Sequence, residues 1–176
     1  MKVYITDLEA YNCGHLVGNW YTLPMNEDLL AEAIENELQR GKEICESEHY
    51  HEEYFITDFE CDYMKIGEYD SLTTLNNIAK KMKELDDQEQ TAVKLMLENN
   101  LATDIENAVE NVDNFICTGE SKIEDIAYNY VNDCGLLELM PENLKSYFDY
   151  ESLGRDMEIE GSYYEDEDGV LWEYVA

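Results

Sequence analysis

Negative charge is the dominant feature of this chain. Its 176 residues include 42 aspartates and glutamates against 11 lysines and arginines, a formal net charge of -31. Self-repulsion of that size weakens a compact state, so some benefit must favour keeping the charge. The chain should nevertheless fold, because 44% of its residues are hydrophobic and 14 are tyrosines. Its length suits one ordinary domain or two to three very small ones.

The charge is unevenly distributed along the chain. Residues 1–60 carry 14 acids and 3 bases, residues 61–94 carry 7 and 5, and residues 95–176 carry 21 and 3. Duplex DNA carries about one negative charge per 1.7 Å of axis, so 31 charges match the backbone charge of roughly 15 base pairs. A dimer would match about 30 base pairs, which is the footprint of a DNA-binding protein. In an elongated protein, this charge would resemble that of DNA.

The chain lacks the marks of membrane or secreted proteins. No apolar run approaches the roughly 20 residues that cross a bilayer, and Met1 and Lys2 lead directly into a strand-like segment. We therefore expect a cytoplasmic protein. The cysteines are odd in number and form no CxxC motif, which supports neither a disulfide framework nor a zinc ribbon. They are Cys13, Cys45, Cys61, Cys117 and Cys134.

Strand and helix signals alternate over the first third of the chain. Alternating apolar residues predict a strand over 2–11 and a second over 14–23. A helix is predicted from Asn26 as N-cap to Gly41 as its C-terminal stop, followed by a strand over 52–60. These elements predict a small α+β domain over residues 1–61.

Helical periodicity dominates from residue 71 onward. Ser71 is the predicted N-cap of a first helix, and a second short helix is predicted to end at Asn99 and Asn100. Thr103 is the predicted N-cap of a third helix, and Gly135 closes a fourth. The segment after Pro141 is predicted to be helix or turn, and residues 161–175 a hairpin that turns at Asp168 and Gly169. We predict an α+β fold: an elongated chain of three small units, namely domain 1–61, a helical middle domain 62–103 and an α+β domain 104–176 with the acidic hairpin.

Patterns for catalysis or metal binding are weak. The best metal candidate is the stretch "CESEHYHEE", in which Cys45, His49, His51 and Glu52 match no zinc spacing, so an exposed polar loop is favoured. A nucleophile pair of Cys13 and His15 is a weaker candidate still. The acidic stretch 164–173 lacks the alternating ligands of an EF-hand, although weak, nonspecific divalent binding is expected there. We assign no catalytic residue, no metal site and no cofactor.

Direct nucleic-acid binding is opposed by the charge. The only basic cluster is Lys80, Lys81 and Lys83, in the nearly neutral middle of the chain. The acids themselves form stripes at helical spacing, and like charges at i, i+4 cost a few tenths of a kcal/mol each. The stripes are Asp28, Glu32 and Glu35; Glu106 and Glu110; and Glu120 and Glu124. A protein acidic for solubility alone more often interleaves lysines. A solvated acidic surface and adaptation to high salt remain alternatives.

Two motifs resemble a known family. The run Y-N-x-G-x-L-x-G-x-W comprises Tyr11, Asn12, Gly14, Leu16, Gly18 and Trp20, and the run Y-F-D-Y-E-x-x-x-R-D comprises residues 147–151 with Arg155 and Asp156. Together with "EEYFITDFE" followed by "GEY", these stretches resemble the antirestriction protein family ArdA over nearly the whole chain.

The resemblance implies a function without catalysis. Members of the family inhibit type I restriction-modification enzymes, look like B-form DNA in shape and charge, form elongated dimers, and are carried by plasmids and conjugative transposons. By this resemblance the acidic stripes and the hairpin would stand in for phosphates. The acids expected to contact the enzyme are Asp28, Glu32, Glu35, Glu106, Glu110, Glu120, Glu124, Asp149, Glu151, Asp156, Glu165, Asp166, Glu167 and Asp168.

A homodimer needs an apolar patch. The region 126–140 is more apolar than its surroundings, and the candidates there are Ile126, Tyr130, Leu136, Leu137 and Met140, although ordinary core packing explains them equally well. The partners expected are therefore the methyltransferase core of a type I enzyme and a second copy of the chain, with neither a membrane nor nucleic acid bound directly. The alternatives are an acidic decoy for another basic DNA-binding protein and, less favoured, a metal-dependent carboxylate enzyme.

Overall fold

A computed structural model describes residues 1–45 and 50–175. The chain divides into two compact units, Met1–Asp86 (unit 1) and Asp87–Ala176 (unit 2). Each contains a three-stranded antiparallel sheet and helices, so the predicted α+β class is confirmed. The finer division into three domains stays a prediction.

Unit 1 has a sheet in the order β2-β1-β3. Its elements, among the described residues, are β1 (Lys2–Asp7), α1 (Leu8–Asn12), β2 (Gly18–Thr22), α2 (Glu27–Cys45), β3 (Tyr54–Glu60) and α3 (Leu72–Glu84). In the central strand, Tyr4 lies opposite Trp20 on one side and Asp58 on the other, and a bulge follows Tyr4. Both neighbouring strands run antiparallel to β1.

The core of unit 1 lies between this sheet and two helices. Val3 and Ile5 of β1 are fully buried, as the alternation predicted, but Thr6 and Asp7 beside them are buried as well. Helix α2 contributes Leu30, and α3 contributes three residues from one face. The cluster is Val3, Ile5, Leu23, Leu30, Ile56, Ile66, Leu72, Leu75 and Ala79. One face of α3 therefore forms part of the core.

The first strand ends earlier than predicted. Residues 2–11 were expected to be extended, but the chain turns into α1 at Leu8. Asp7 causes the change because its Oδ1 accepts a hydrogen bond from the Ala10 N–H at 2.7 Å and so caps the new helix. The strand predicted from apolar alternation was wrong over residues 8–11, because the buried Asp7 carboxylate accepts a backbone hydrogen bond and starts a helix there.

Helix α2 begins as predicted and ends later. Asn26 Oδ1 accepts from the N–H of Asp28 at 2.9 Å, which confirms the N-cap. Gly41 does not stop the helix, which continues to Cys45. A Cβ on Gly41 would lie 2.1 Å from Asp7 Oδ2, so the glycine is required where α2 approaches Asp7 closely.

Unit 2 has a second sheet, in the order β4-β6-β5. Its described elements are α4 (Asp87–Glu98), α5 (Ile105–Glu110), a 3₁₀ turn (Val112–Asn114), β4 (Phe115–Cys117), α6 (Ile123–Asp133), α7 (Glu142–Lys145), α8 (Tyr150–Glu160), β5 (Tyr163–Glu165) and β6 (Leu171–Tyr174). Trp172 of β6 is buried, with its ring centroid 6.2 Å from that of Phe115 in β4. The predicted hairpin is confirmed as β5 and β6.

Local signals located the start of α3 and came within one residue of the start of α5. Ser71 Oγ accepts from the Thr74 N–H at 3.4 Å, as predicted for an N-cap. The predicted cap Thr103 was wrong by one residue, because Asp104 Oδ1 accepts from the Asn107 N–H at 2.9 Å. Strand β4 was missed, since three residues are too few to show a period of two.

We expect Gly41→Ala to lower the free energy of unfolding by about 1 to 3 kcal/mol, because the added methyl group clashes with the Asp7 carboxylate. Helix propensity alone would raise the free energy of unfolding by about 1 kcal/mol. A decrease therefore shows that the close approach to Asp7 dominates. Urea denaturation of the whole chain measures the change. The control Asn36→Ala, exposed on the same helix, should stay within about 0.5 kcal/mol. Equal or greater stability of Gly41→Ala would contradict the packing described.

Candidate functional site

The acidic stripe of α2 faces solvent. Asp28, Glu32 and Glu35 are all exposed, while Leu30 and Ala33 of the same helix are buried. The eight residues from Asp28 to Glu35 span about 10 Å of helix axis. Three carboxylates are therefore held along one rigid edge of unit 1.

Another acid of α2 is internal. Glu37 is 2% exposed, and its carboxylate accepts from the Tyr21 hydroxyl at 2.5 Å and pairs with Arg40. Burial, followed by this hydrogen bond to Glu37, raises the pKa of Tyr21 well above its usual range. Glu37 therefore belongs to the core rather than to the acidic surface. The spacing of Glu37 from Leu30 and Ala33 places all three on the buried face of α2, and this spacing can be recognised in the sequence.

The predicted acids on α5 and α6 are divided between surface and interior. Glu106 and Glu110 of α5 and Glu124 of α6 are exposed. Glu120 is half-buried, its Oε1 accepting from Asn129 Nδ2 at 2.9 Å and its carbonyl from the Leu171 N–H at 2.7 Å. Glu120 thus helps to attach the segment before α6 to the sheet of unit 2.

Helix α8 carries three of the predicted acids. Asp149 is its N-cap, with Oδ1 accepting from the Ser152 N–H at 2.9 Å and Oδ2 from the Ser152 hydroxyl at 2.7 Å. These hydrogen bonds lower the pKa of Asp149. Glu151 and Asp156 are exposed on the same helix. All three carboxylates therefore stay on the surface of unit 2, and Asp149 has a defined orientation.

The acidic loop, residues 165–168, is built around Asp166. Asp166 Oδ1 accepts from the N–H groups of Asp168 at 3.0 Å and Val170 at 2.9 Å, and Oδ2 accepts from Trp172 Nε1 at 2.8 Å. Partial burial opposes ionisation of Asp166, but these donors outweigh it and lower its pKa. Gly169 completes the turn with a φ of 79°. One acid organises the turn, and the other three acids of the loop are exposed.

The acidic loop also lines a groove of unit 2. The opposite wall is formed by α4, and the groove is lined by Thr91, Lys94, Leu95 and Glu98 together with the four loop acids. Lys94 and Glu98 contribute opposite charges to this wall, so the negative charge of the groove comes from the loop acids.

The dimer candidates differ in their exposure. Ile126 is 9% exposed and belongs to the core of unit 2, whereas Tyr130 and Leu136 are 48% and 54% exposed. Leu137 and Met140 are half-buried. Further apolar side chains that were not singled out from the sequence are exposed nearby in the chain: Leu139 (99%), Leu144 (46%) and Tyr147 (82%). We call residues 136–147 the apolar segment. Leu144 and Tyr147 were missed because they lie among polar residues.

One histidine of the metal candidate "CESEHYHEE" is instead buried against an aspartate. His51 is not in an exposed loop: its side chain is 1% exposed, and its Nδ1 lies 2.6 Å from Oδ2 of the buried Asp7. His49 lies outside the described residues. Across residues 1–45 and 50–175, no three histidine, cysteine or acidic side chains are arranged to hold a metal ion. Within the same ranges, no helix is both long and apolar enough to cross a membrane.

Fold and surface together define an acidic α+β protein that displays carboxylates on short helices and on a hairpin. A family model described as Antirestriction protein (ArdA) matches residues 3–171. The chain therefore belongs to the ArdA antirestriction family, as its motifs indicated. The family is non-catalytic, which confirms the expectation that the protein is not an enzyme, and membership implies an antirestriction function. No curated protein gives a significant match to the chain.

We expect Asp166→Ala to lower the free energy of unfolding by about 1 to 3 kcal/mol, because three donors lose their acceptor. The control Asp168→Ala, an exposed acid of the same loop, should stay within about 0.5 kcal/mol. Urea denaturation at neutral pH compares the two. Equal effects of both variants would show that Asp166 has no special part in the turn.

The pH dependence adds a second criterion to this comparison. Because the folded pKa of Asp166 is lowered, its ionised form stabilises the fold above the ordinary aspartate pKa, and this stability is lost as the pH falls through the lowered value. The gap between wild type and Asp166→Ala should therefore shrink as urea denaturation is repeated from about pH 7 down to about pH 2. The other acids titrate in both proteins, so their effect largely cancels.

Proposed function

We propose that this protein is a DNA mimic that occupies the DNA-binding groove of type I restriction-modification enzymes and blocks them without catalysis. The observation that carries the proposal is the exposure of the predicted acids: of the fourteen, all but Glu120 and Asp166 are exposed. They belong to helices and a hairpin rather than to a flexible tail. The net charge of -31 leaves few bases to neutralise them.

Carboxylates can replace phosphates in a basic groove through the same electrostatic term that binds DNA. A groove that neutralises acids on the protein releases counterions, so affinity should fall steeply as salt rises. No base edge needs to be contacted, since phosphate contacts carry no sequence information. Inhibition should therefore be insensitive to the recognition sequence of the enzyme.

Ordered charges suit a mimic better than mobile ones. Asp149 is held by Ser152, and the acidic loop is held by the hydrogen bonds of Asp166. Acids that are positioned before binding lose less conformational entropy when the enzyme engages them. The lowered pKa values of Asp149 and Asp166 also keep both groups ionised at neutral pH.

The proposal extends to the assembly and the setting of the protein. We propose an elongated homodimer, as the family resemblance implies, that acts in the cytoplasm and is encoded on a mobile element such as a plasmid or conjugative transposon. The exposed apolar segment supports a self-association surface, because solvent-exposed apolar residues that lie close together often mark interfaces. A dimer would double the number of carboxylates presented to the enzyme.

We expect stepwise loss of inhibition when acids are neutralised. One variant changes Asp28, Glu32 and Glu35 to their amides, a second changes Glu165, Glu167 and Asp168, and a third combines both sets. At roughly 0.5 kcal/mol per contact, each triple variant should raise the inhibitory concentration about ten-fold and the combined variant about a hundred-fold. The measurement is competition with labelled DNA for a purified type I enzyme at several salt concentrations.

The control removes the same charge elsewhere. Glu68, Glu84 and Asp87 are exposed acids in the nearly neutral segment 61–94, and their amide variants should inhibit almost as well as wild type. Wild-type protein that leaves DNA binding untouched at micromolar excess would overturn the proposal. Loss of all inhibition from a single amide change would favour a metal-dependent enzyme, and equal competition against an unrelated basic DNA-binding protein would favour a general decoy.

We expect Leu139→Glu to weaken the proposed dimer at least ten-fold, because a charge would replace a 99% exposed leucine of the apolar segment. Sedimentation over a range of protein concentrations measures the dissociation constant. The control Leu16→Glu replaces a 65% exposed leucine of unit 1 and should leave self-association unchanged. A wild-type protein that stays monomeric throughout, or equal weakening by both variants, would exclude this interface.

A further inference from the structure

The sheet of unit 1 has an aromatic outer face. Two residues of β1 belong to the core cluster, so Tyr4 and Thr6, which alternate with them, lie on the opposite face of the sheet. Trp20 of β2 lies opposite Tyr4 in the register, and the two rings meet edge to face with their centroids 5.4 Å apart. Phe55 of β3 lies opposite Thr6 on the other side of β1. All three strands therefore supply an aromatic ring to this one surface.

Two tyrosines from outside the sheet extend this surface. The Phe55 ring meets Tyr11 of α1 edge to face at 5.1 Å and stacks with Tyr69, from the turn that precedes α3, at 6.3 Å. Phe55 is only 6% exposed, whereas Tyr11 is 52%, Trp20 39% and Tyr69 74% exposed. The exposed rings are thus held in place by other rings and remain open to solvent. We call the five residues Tyr4, Tyr11, Trp20, Phe55 and Tyr69 the aromatic face.

Acids lie beside these rings. Asp58 of β3 is exposed and lies opposite β1 on this side of the sheet. Asp70 is exposed in the same turn as Tyr69. Lys2, at the start of β1, is balanced by Glu60, whose Oε2 lies 2.6 Å from its Nζ. The charge around the aromatic face therefore complements a positively charged partner.

We propose that the aromatic face is a second contact surface for the restriction enzyme, at which arginine side chains of the enzyme's basic groove bind. This inference rests on the proposed function. A guanidinium group is planar, always charged and weakly hydrated, so it stacks on an aromatic ring while it pairs with a carboxylate. The exposed rings supply the first contact, and Asp58 and Asp70 supply the second. The acidic stripes would replace phosphates, whereas these rings add a contact that a phosphate backbone does not offer.

The test is competition with labelled DNA for a purified type I enzyme at several salt concentrations. The double change of Tyr11 and Tyr69 to alanine removes two exposed rings and no charge, and should raise the inhibitory concentration about five-fold to thirty-fold. The double change to phenylalanine keeps both rings and should stay within about two-fold of wild type. The salt dependence of the alanine variant should match that of wild type, because no carboxylate is lost. Neutralising the acidic stripe of α2 should instead make the salt dependence shallower.

A matched control removes an exposed ring elsewhere in unit 1. Tyr50 is 84% exposed and lies outside the aromatic face, so Tyr50→Ala should inhibit as well as wild type, and circular dichroism checks that each variant is folded. If wild type competes and the double alanine variant competes equally well, this inference is wrong while DNA mimicry stands. Wild type that does not compete overturns both. Weaker self-association of the double alanine variant in sedimentation, or binding of single-stranded DNA that only wild type shows, would assign the face to a second copy or to bases and so overturn the inference.

Discussion

Mutual repulsion among 42 carboxylates is the constraint on which this structure depends. An acid can leave water only where donors compensate for its lost hydration. Asp7 is fully buried with the Ala10 N–H and His51 as partners, and Glu37 is buried with Tyr21 and Arg40. In each case the buried acid also organises its surroundings. Asp7 starts α1 and contacts α2 at Gly41.

The same physical rule links the fold to the proposed mimicry. Twelve of the fourteen acids predicted to contact the enzyme are exposed on helices and at the hairpin, where the backbone sets their mutual spacing. Asp166 is half-buried so that the three other acids of its loop can be exposed in a defined turn. A disordered acidic tail would carry equal charge, but binding would have to order it. A folded scaffold avoids that entropic cost.

Local signals in the sequence located many element boundaries, because caps and turns involve residues within about four positions of each other. Asn26, Ser71 and the turn at Gly169 were all predicted in this way. The failures have a common cause. A glycine near the end of a helical pattern predicts a helix stop, but Gly41 instead lets α2 approach Asp7, 34 residues away in the chain. Strand β4 exists only because it pairs with β6.

The sequence by itself determined the acidity, the spacing of the exposed stripes and the family. These features depend on composition and on periodicity along one helix. Only the tertiary structure decided which acids are internal and which apolar residues of the segment 136–147 stay exposed. The reason is that burial and side-chain contacts depend on which distant parts of the chain pack together. Asp7 and His51, 44 residues apart, are neighbours only in the folded protein.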